Sequence, residues 1–252
     1  MEHELEVSPD AAAVAQRAAG YVAALARNAV SERGRFTFAV SGGKTPWAMF
    51  AELAHEDMPW ADTELFQVDE RVAPAGDPDR NLTNLQASIG DAPARVHPMP
   101  VNDPDLTAAA AAYATVLPQR FDLVHLGLGP DGHTASLVPG DPVLEVTDAL
   151  VALTQPYQGH RRMTLTYPAL TRADQLLWLV TGSDKRDALA RLLAGDESIP
   201  AGRVLATRSL VLADVAAASS ETAPFETAPF ETAPPETAPS QTAPPETAPP
   251  DQ

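Results

Sequence analysis

The sequence of 252 residues contains no cysteine. That absence removes disulfides, thiolate nucleophiles and cysteine-based zinc sites together, and it suits a reducing compartment. Basic residues are scarce: 17 Lys and Arg stand against 34 Asp and Glu, for a formal net charge of -17. Nucleic acid is bound through clustered cations, so this balance argues against it as a partner. No run approaches the roughly 18 apolar residues that a membrane helix needs. The opening MEHELEVSPD is acidic and lacks the basic-then-apolar pattern of a secretion signal, so the expected location is cytoplasmic. What is present is a globular composition, with 44% apolar residues, in a length that suits one large α/β domain or two small ones. An anionic substrate would be held by local donors against an unfavourable overall field.

From Glu221 the chain turns into a pentad repeat, ETAPF ETAPF ETAPP ETAPS QTAPP ETAPP. Proline at this density blocks helix and interior strand, and too few apolar groups remain to offset the entropy of ordering. Residues 219–252 are therefore expected to be a disordered, acidic tail of polyproline character, separate from a folded domain over 1–218. A solvating appendage and a docking segment both fit it, and no partner for it is identified. Its carboxylates (Glu221, Glu226, Glu231, Glu236, Glu246, Asp251) have no base among them, and the rest of the chain is still acidic.

Before that point two periodicities alternate. Ser8-Pro9-Asp10 reads as an N-cap with proline in the first turn, opening an Ala-rich helix to about residue 32. Strands are expected over 35–41, 64–69, 121–126, 150–154, 163–166, 175–181 and 209–212. Helices are expected over 45–55, near Asn84, over 106–117 and over 184–193. Alternation of this kind predicts an α/β fold with a mostly parallel, doubly wound sheet flanked by helices. Ligands of such sheets sit beyond the carboxyl ends of the strands, and each motif below follows a predicted strand.

Ser41-Gly42-Gly43-Lys44-Thr45-Pro46 lies between a strand and a helix. Glycines admit an anion close to the backbone, and the hydroxyls and helix-start N–H groups supply donors. An ordinary tight turn is the alternative. A Walker A loop would need a glycine where Phe38 stands; a serine-nucleophile elbow at Ser41 is one residue out of pattern. Asp69-Glu70-Arg71 ends the next strand. It reads as a structural ion pair or, from its place at the sheet mouth, as a site where Arg71 clamps a carbonyl oxygen or phosphate. The polar loop that follows, with Asp77, Asp79, Arg80 and Asn81, could line a pocket.

GLGPDGHTAS follows the strand over 121–126. Glycines 127, 129 and 132 satisfy G-x-G-x-x-G, but Pro139-Gly140 leaves no room for the helix of a dinucleotide fold. What stands out is a carboxylate, Asp131, two residues before His133 in a polar, Gly-rich turn. A histidine has an ordinary pKa of about 6.5 and can act as a neutral general base; a structural histidine is the alternative. One Asp and one His find no matching third ligand in the sequence, so no metal is expected. Arg161-Arg162 and Lys185, at later strand mouths, are candidates to meet an anion or are surface charge.

These pieces, SGGKTP, DER with DPDRN, GLGPDGHTASLVPG and RRMTLT with VTGSDK, stand in one order and together closely resemble the 6-phosphogluconolactonase family over residues 8 to 215. They resemble more distantly the glucosamine-6-phosphate deaminases that share its fold. The resemblance implies a cytosolic hydrolase of a phosphorylated sugar lactone in the pentose phosphate pathway, working without a cofactor. It implies His133 as catalytic base with Asp131 and Arg71 beside it. It places Ser41, Gly42, Gly43, Thr45, Asp69, Arg162 and Lys185 in the substrate and phosphate pocket. The deaminases carry an acidic residue soon after the DGH turn; here none comes before Asp141. One departure from the lactonase pattern is Val138, which stands in place of a phenylalanine.

Overall fold

The computed structural model describes residues 2–219; the pentad-repeat segment expected to be a disordered tail lies outside the described residues. In chain order the elements are β1 (Glu4–Ser8), α1 (Ala11–Arg33), β2 (Phe36–Val40), α2 (Lys44–Leu53), β3 (Thr63–Gln67), β4 (Asp69–Arg71), α3 (Asn81–Ile89), β5 (Arg95–His97) and α4 (Leu106–Val116). They continue with β6 (Leu123–Gly127), β7 (Val151–Leu153), β8 (Arg162–Leu165), α5 (Tyr167–Leu170), β9 (Gln175–Val180), α6 (Arg186–Leu193), β10 (Arg208–Asp214) and α7 (Val215–Ala218). Seven strands form one parallel sheet in the order β1-β10-β9-β6-β2-β3-β5. A small antiparallel sheet, β4-β8-β7, stands beside it.

The central strands β2 and β9 are buried along their whole length, as parallel strands covered on both faces must be. Their side chains alternate between two cores. Phe36, Phe38 and Val40 join Leu177 and Leu179 under α1 and α2. Ala39 and, from β9, Leu176, Trp178 and Val180 face the other way, toward α4 and α6. Helix α1 presents Ala15, Ala18, Ala19, Ala23 and Ala26 inward, all buried, and such small residues let it lie close on the sheet. Its start is capped by Asp10, whose Oδ1 accepts from Ala13 N–H at 2.9 Å. Gly34, at φ +72°, closes its end. Among the described residues no helix is long and apolar enough to cross a membrane.

A mostly parallel sheet flanked by helices is observed as expected, but its edge strands β1 and β5 were not expected, and there are local corrections. Ser8 is not the cap of α1 but the last residue of β1, an edge strand whose Leu5 and Val7 remain exposed; Asp10 does the capping. The strand expected over 64–69 is two. Val68 donates to Val40 O at 2.9 Å and accepts from Leu165 N–H at 2.8 Å. The chain thus leaves the parallel sheet at Val68 and enters the antiparallel one. The helix expected over 184–193 begins as a 3-10 turn, Ser183–Lys185, before α6.

Candidate active site

The strand order reverses between β2 and β6, and the loops leaving the carboxyl ends of these two strands meet there. Ser41, buried, donates from Oγ to the His125 carbonyl at 3.2 Å and from its N–H to His125 Nδ1 at 3.3 Å. Burial of His125 in β6 pushes its pKa down to about 3, so the ring is neutral and Nδ1 accepts. The Ser41 hydroxyl is thereby committed to a carbonyl rather than to a base, which leaves the nucleophile-elbow alternative without support. Gly43, at φ +138°, precedes α2, and no side chain caps the start of the helix. Thr45 Oγ1 lies 2.9 Å from Thr181 Oγ1 at the end of β9. Lys185 follows in the same loop, with Nζ 3.0 Å from Asp184.

The DER segment separates into three roles. Glu70 is fully buried and accepts from the N–H groups of Arg71, Asn81 and Leu82, from Gln67 Nε2 and from Arg80 Nε. It therefore closes the start of α3 and neutralises Arg80, which is the structural reading. Asp69, also buried, accepts from Ser136 Oγ at 2.6 Å and from Asn81 Nδ2 at 3.2 Å. Arg71 pairs with neither: its Nη1 donates to the Asp79 carbonyl, and its Nε is buried without a partner. Across the antiparallel ladder Arg71 stands in register with Arg162. Arg162 is 4% exposed and its Nε is likewise unpartnered. Burial holds the Arg162 guanidinium below its ordinary pKa, with Asp69 opposing that shift and Arg71 adding to it. Two cations with unused buried donors thus stand side by side, a geometry with donors free for an anion. Arg161, the other candidate, donates to the Thr154 carbonyl and lines an apolar groove between α4 and β7.

Beyond β6 no helix follows Gly132, which removes the dinucleotide reading. The glycines serve the turn itself. A Cβ on Gly129 would lie 2.0 Å from His133 Nδ1, and Gly132 has φ +79° against Ile199. Gly129 N–H donates to the His133 carbonyl at 2.8 Å, closing the turn. Inside it Asp131 Oδ1 lies 2.6 Å from His133 Nδ1 and accepts from His133 N–H at 3.1 Å. Burial pushes the Asp131 carboxyl up, but the hydrogen bonds and charge of His133 outweigh it and hold the pKa below the ordinary value. With Asp131 ionised, Nδ1 is the donor, so that in the neutral imidazole the lone pair falls on Nε2, which has no partner among the described residues.

The four motifs are thus joined. Gly42 packs so closely on Asn81 that a Cβ would meet its Oδ1 at 1.9 Å; Asn81 holds Asp69, and Asp69 holds Ser136 just after His133. Asn81 was expected only as one of several pocket-lining residues, and Ser136 lay inside a quoted motif without a named role. Tyr157 was missed altogether, in a loop with no periodicity: its ring meets both His133 and Arg162. Among the described residues no group of three or more His, Cys, Asp or Glu is placed to hold a metal ion.

The family model described as glucosamine-6-phosphate isomerases/6-phosphogluconolactonase matches residues 9–213. A human protein named GDH/6PGL endoplasmic bifunctional protein is 42% identical over 183 residues, 66% of this chain but 23% of its own length. The chain thus spans about a quarter of that relative. A 6-phosphogluconolactonase of Streptomyces coelicolor is 35% identical over 244 residues, covering 86% of this chain and 94% of the relative. The crystal structure of a 6-phosphogluconolactonase from Shewanella baltica superposes with a TM-score of 0.77 at 26% identity, over 84% of this chain and 98% of that one.

Proposed function

The chain belongs to the glucosamine-6-phosphate isomerase/6-phosphogluconolactonase family, and we propose that it hydrolyses 6-phosphogluconolactone to 6-phosphogluconate, the lactone-opening step of the pentose phosphate pathway. The observation that carries this reading is the His133–Asp131 pair, 2.6 Å apart, at the sheet mouth where the paired guanidiniums of Arg71 and Arg162 also lie. Asp131 orients the imidazole so that Nε2 takes a proton from water as the water attacks the lactone carbonyl. Arg71 or the N–H groups of the turn stabilise the oxyanion. Collapse breaks the ring C–O bond, and the imidazolium returns its proton to the leaving oxygen. Ser41, Gly42, Gly43, Thr45, Arg162 and Lys185 hold the phosphate, with Asp69 fixing the loops around it, and remote binding becomes positioning at the carbonyl. The reaction so written needs no cofactor, and the absence of cysteine supports a cytoplasmic setting.

The test is a proton-release assay on freshly made 6-phosphogluconolactone. His133→Ala should lower kcat by about 10²–10⁴, the usual worth of a positioned general base, while still binding 6-phosphogluconate; turnover near wild type would sink the assignment. The deaminase reading is disfavoured by Asp141, the first carboxylate after the turn. It is spent on Val143 N–H and Gln155 N–H, so glucosamine 6-phosphate should release no ammonia.

A further inference from the structure

Between β7 and β8 the chain makes a tight two-residue turn that the reaction as written does not use. Tyr157 N–H donates to the His160 carbonyl at 2.9 Å, and His160 N–H to the Tyr157 carbonyl at 3.2 Å. The central residues, Gln158 and Gly159, have φ of +50° and +84°, the left-handed pair of a mirror-image hairpin turn. A glutamine is disfavoured in that region, so the surroundings hold it there. They do so from two sides. His160 Nε2 lies 3.1 Å from Asp79 Oδ2, in the loop whose Asp79 carbonyl also receives Arg71. Gln158 Oε1 accepts from Arg162 Nη2 at 3.4 Å, and Gln158 Nε2 donates to the Tyr157 hydroxyl at 3.3 Å.

The turn thereby fixes the Tyr157 ring between two groups of the site. The Arg162 guanidinium carbon lies 5.2 Å from the ring centroid. The His133 imidazole meets the ring edge-on, with centroids 5.6 Å apart and planes at 68°. We infer that Tyr157 is a positioning residue whose ring sets the spacing between the cation that anchors the substrate's phosphate and the base that activates water. This rests on the reading of Arg162 and His133 given above. An aromatic face attracts a guanidinium without occupying its N–H donors, whereas a carboxylate partner would use them. Arg162 is thus held in place with donors left for an anion. On the other side, Asp131 restrains the imidazole only through Nδ1, and the flank of Tyr157 limits rotation about that bond.

The experiment is a double-mutant cycle read as kcat/KM for 6-phosphogluconolactone, with Tyr157→Phe as the conservative variant. Tyr157→Phe keeps the ring and gives up only the hydroxyl's contacts with Gln158 and Asp131, and should stay within about threefold of wild type. Tyr157→Leu should fall about 10- to 30-fold, the upper range of a desolvated cation–π contact. In an Arg162→Gln background the same leucine substitution should cost a clearly smaller factor, because the part of the ring's effect that runs through Arg162 is already lost and only the part through His133 remains. Three results would each overturn the proposal: Tyr157→Phe falling as far as Tyr157→Leu, Tyr157→Leu remaining within threefold of wild type, or leucine costing the same factor in both backgrounds. His133→Ala, run alongside, tests the base assignment separately. If that variant keeps turnover, the base reading fails while the 157–162 coupling is still measured.

Discussion

Three glycines stand within six residues of GLGPDGHTAS, and alanine at each should do something different. At Gly129 the added methyl would lie 2.0 Å from His133 Nδ1, 2.2 Å from its Cε1 and 2.7 Å from Asp131 Oδ1. Gly129 is not among the positive-φ residues, so alanine strains no backbone and the whole penalty falls on that pair. Both side chains are partly open to solvent, 21% for His133 and 39% for Asp131, and can swing aside. Relief should therefore cost the fold about 1 kcal/mol, the low end of overpacking. It must break the 2.6 Å hydrogen bond and move the imidazole by about 1 Å, a displacement that costs on the order of 10²-fold in rate. At Gly132 the balance reverses. Its φ of +79° and the 2.5 Å approach of an added Cβ to Ile199 Cβ should cost about 1–2 kcal/mol for the left-handed backbone and about 1–3 kcal/mol for overpacking. Gly127 has nothing within 4 Å of a Cβ and should tolerate alanine on both counts. Proton release for kcat and urea unfolding for stability separate the three. Gly129→Ala within threefold of wild-type kcat would refute the claim that this turn exists to hold the His133–Asp131 pair.

Other outcomes follow from the same contacts. Glu70→Gln removes the charge that Arg80 meets at 3.3 Å, both side chains being 4% exposed or less, and should destabilise the fold by about 3–5 kcal/mol in urea unfolding. His125 binds its proton far less readily folded, at about pH 3, than unfolded, at about 6.5. Between those values the unfolded state holds the extra proton, so stability falls with falling pH, by about 2 kcal/mol at pH 5 relative to neutral pH. His125→Asn should remove that part of the acid loss, and an unchanged pH dependence would show that His125 does not supply it. Lys185→Ala should raise KM about tenfold with kcat nearly kept, as expected for a lost charged hydrogen bond; an unchanged KM removes Lys185 from the phosphate site.

The elements legible in the sequence are those whose burial is uniform. β2 and β9 are apolar throughout because both faces are covered, and the Ala-rich α1 and α4 carry their caps and breakers on the chain. Elements that depend on a distant partner left no such pattern. β1 reads ELEVS and exists because it pairs with β10, in register from Glu4 on Leu210 to Ser8 on Asp214. β5, three residues long, pairs among the described residues only with β3. The division of 64–69 at Val68 is a change of hydrogen-bonding partner, from Val40 to Leu165, and both partners lie far away in the chain.

The candidate site shows the same limit at finer grain. Asp131 and His133 are two residues apart, so local spacing alone sufficed to bring their pairing into view. Arg71 and Arg162 are joined by the register of the small antiparallel sheet, which no local pattern in DER or RRMTLT encodes. Residue type alone also left duties within one motif undivided. DER gave Glu70 no duty of its own, yet backbone N–H groups of α3 converge on it, while Asp69 reaches Ser136 across the sheet mouth. Tyr157 gave no signal because its role lies in where a mirror-image turn points its ring. In an acidic chain an anion must be met by cations kept from the surrounding carboxylates. Arg162 is kept so by burial and by the Tyr157 face, and Arg71 by its bond to the Asp79 carbonyl, and that arrangement exists only once the strands have paired.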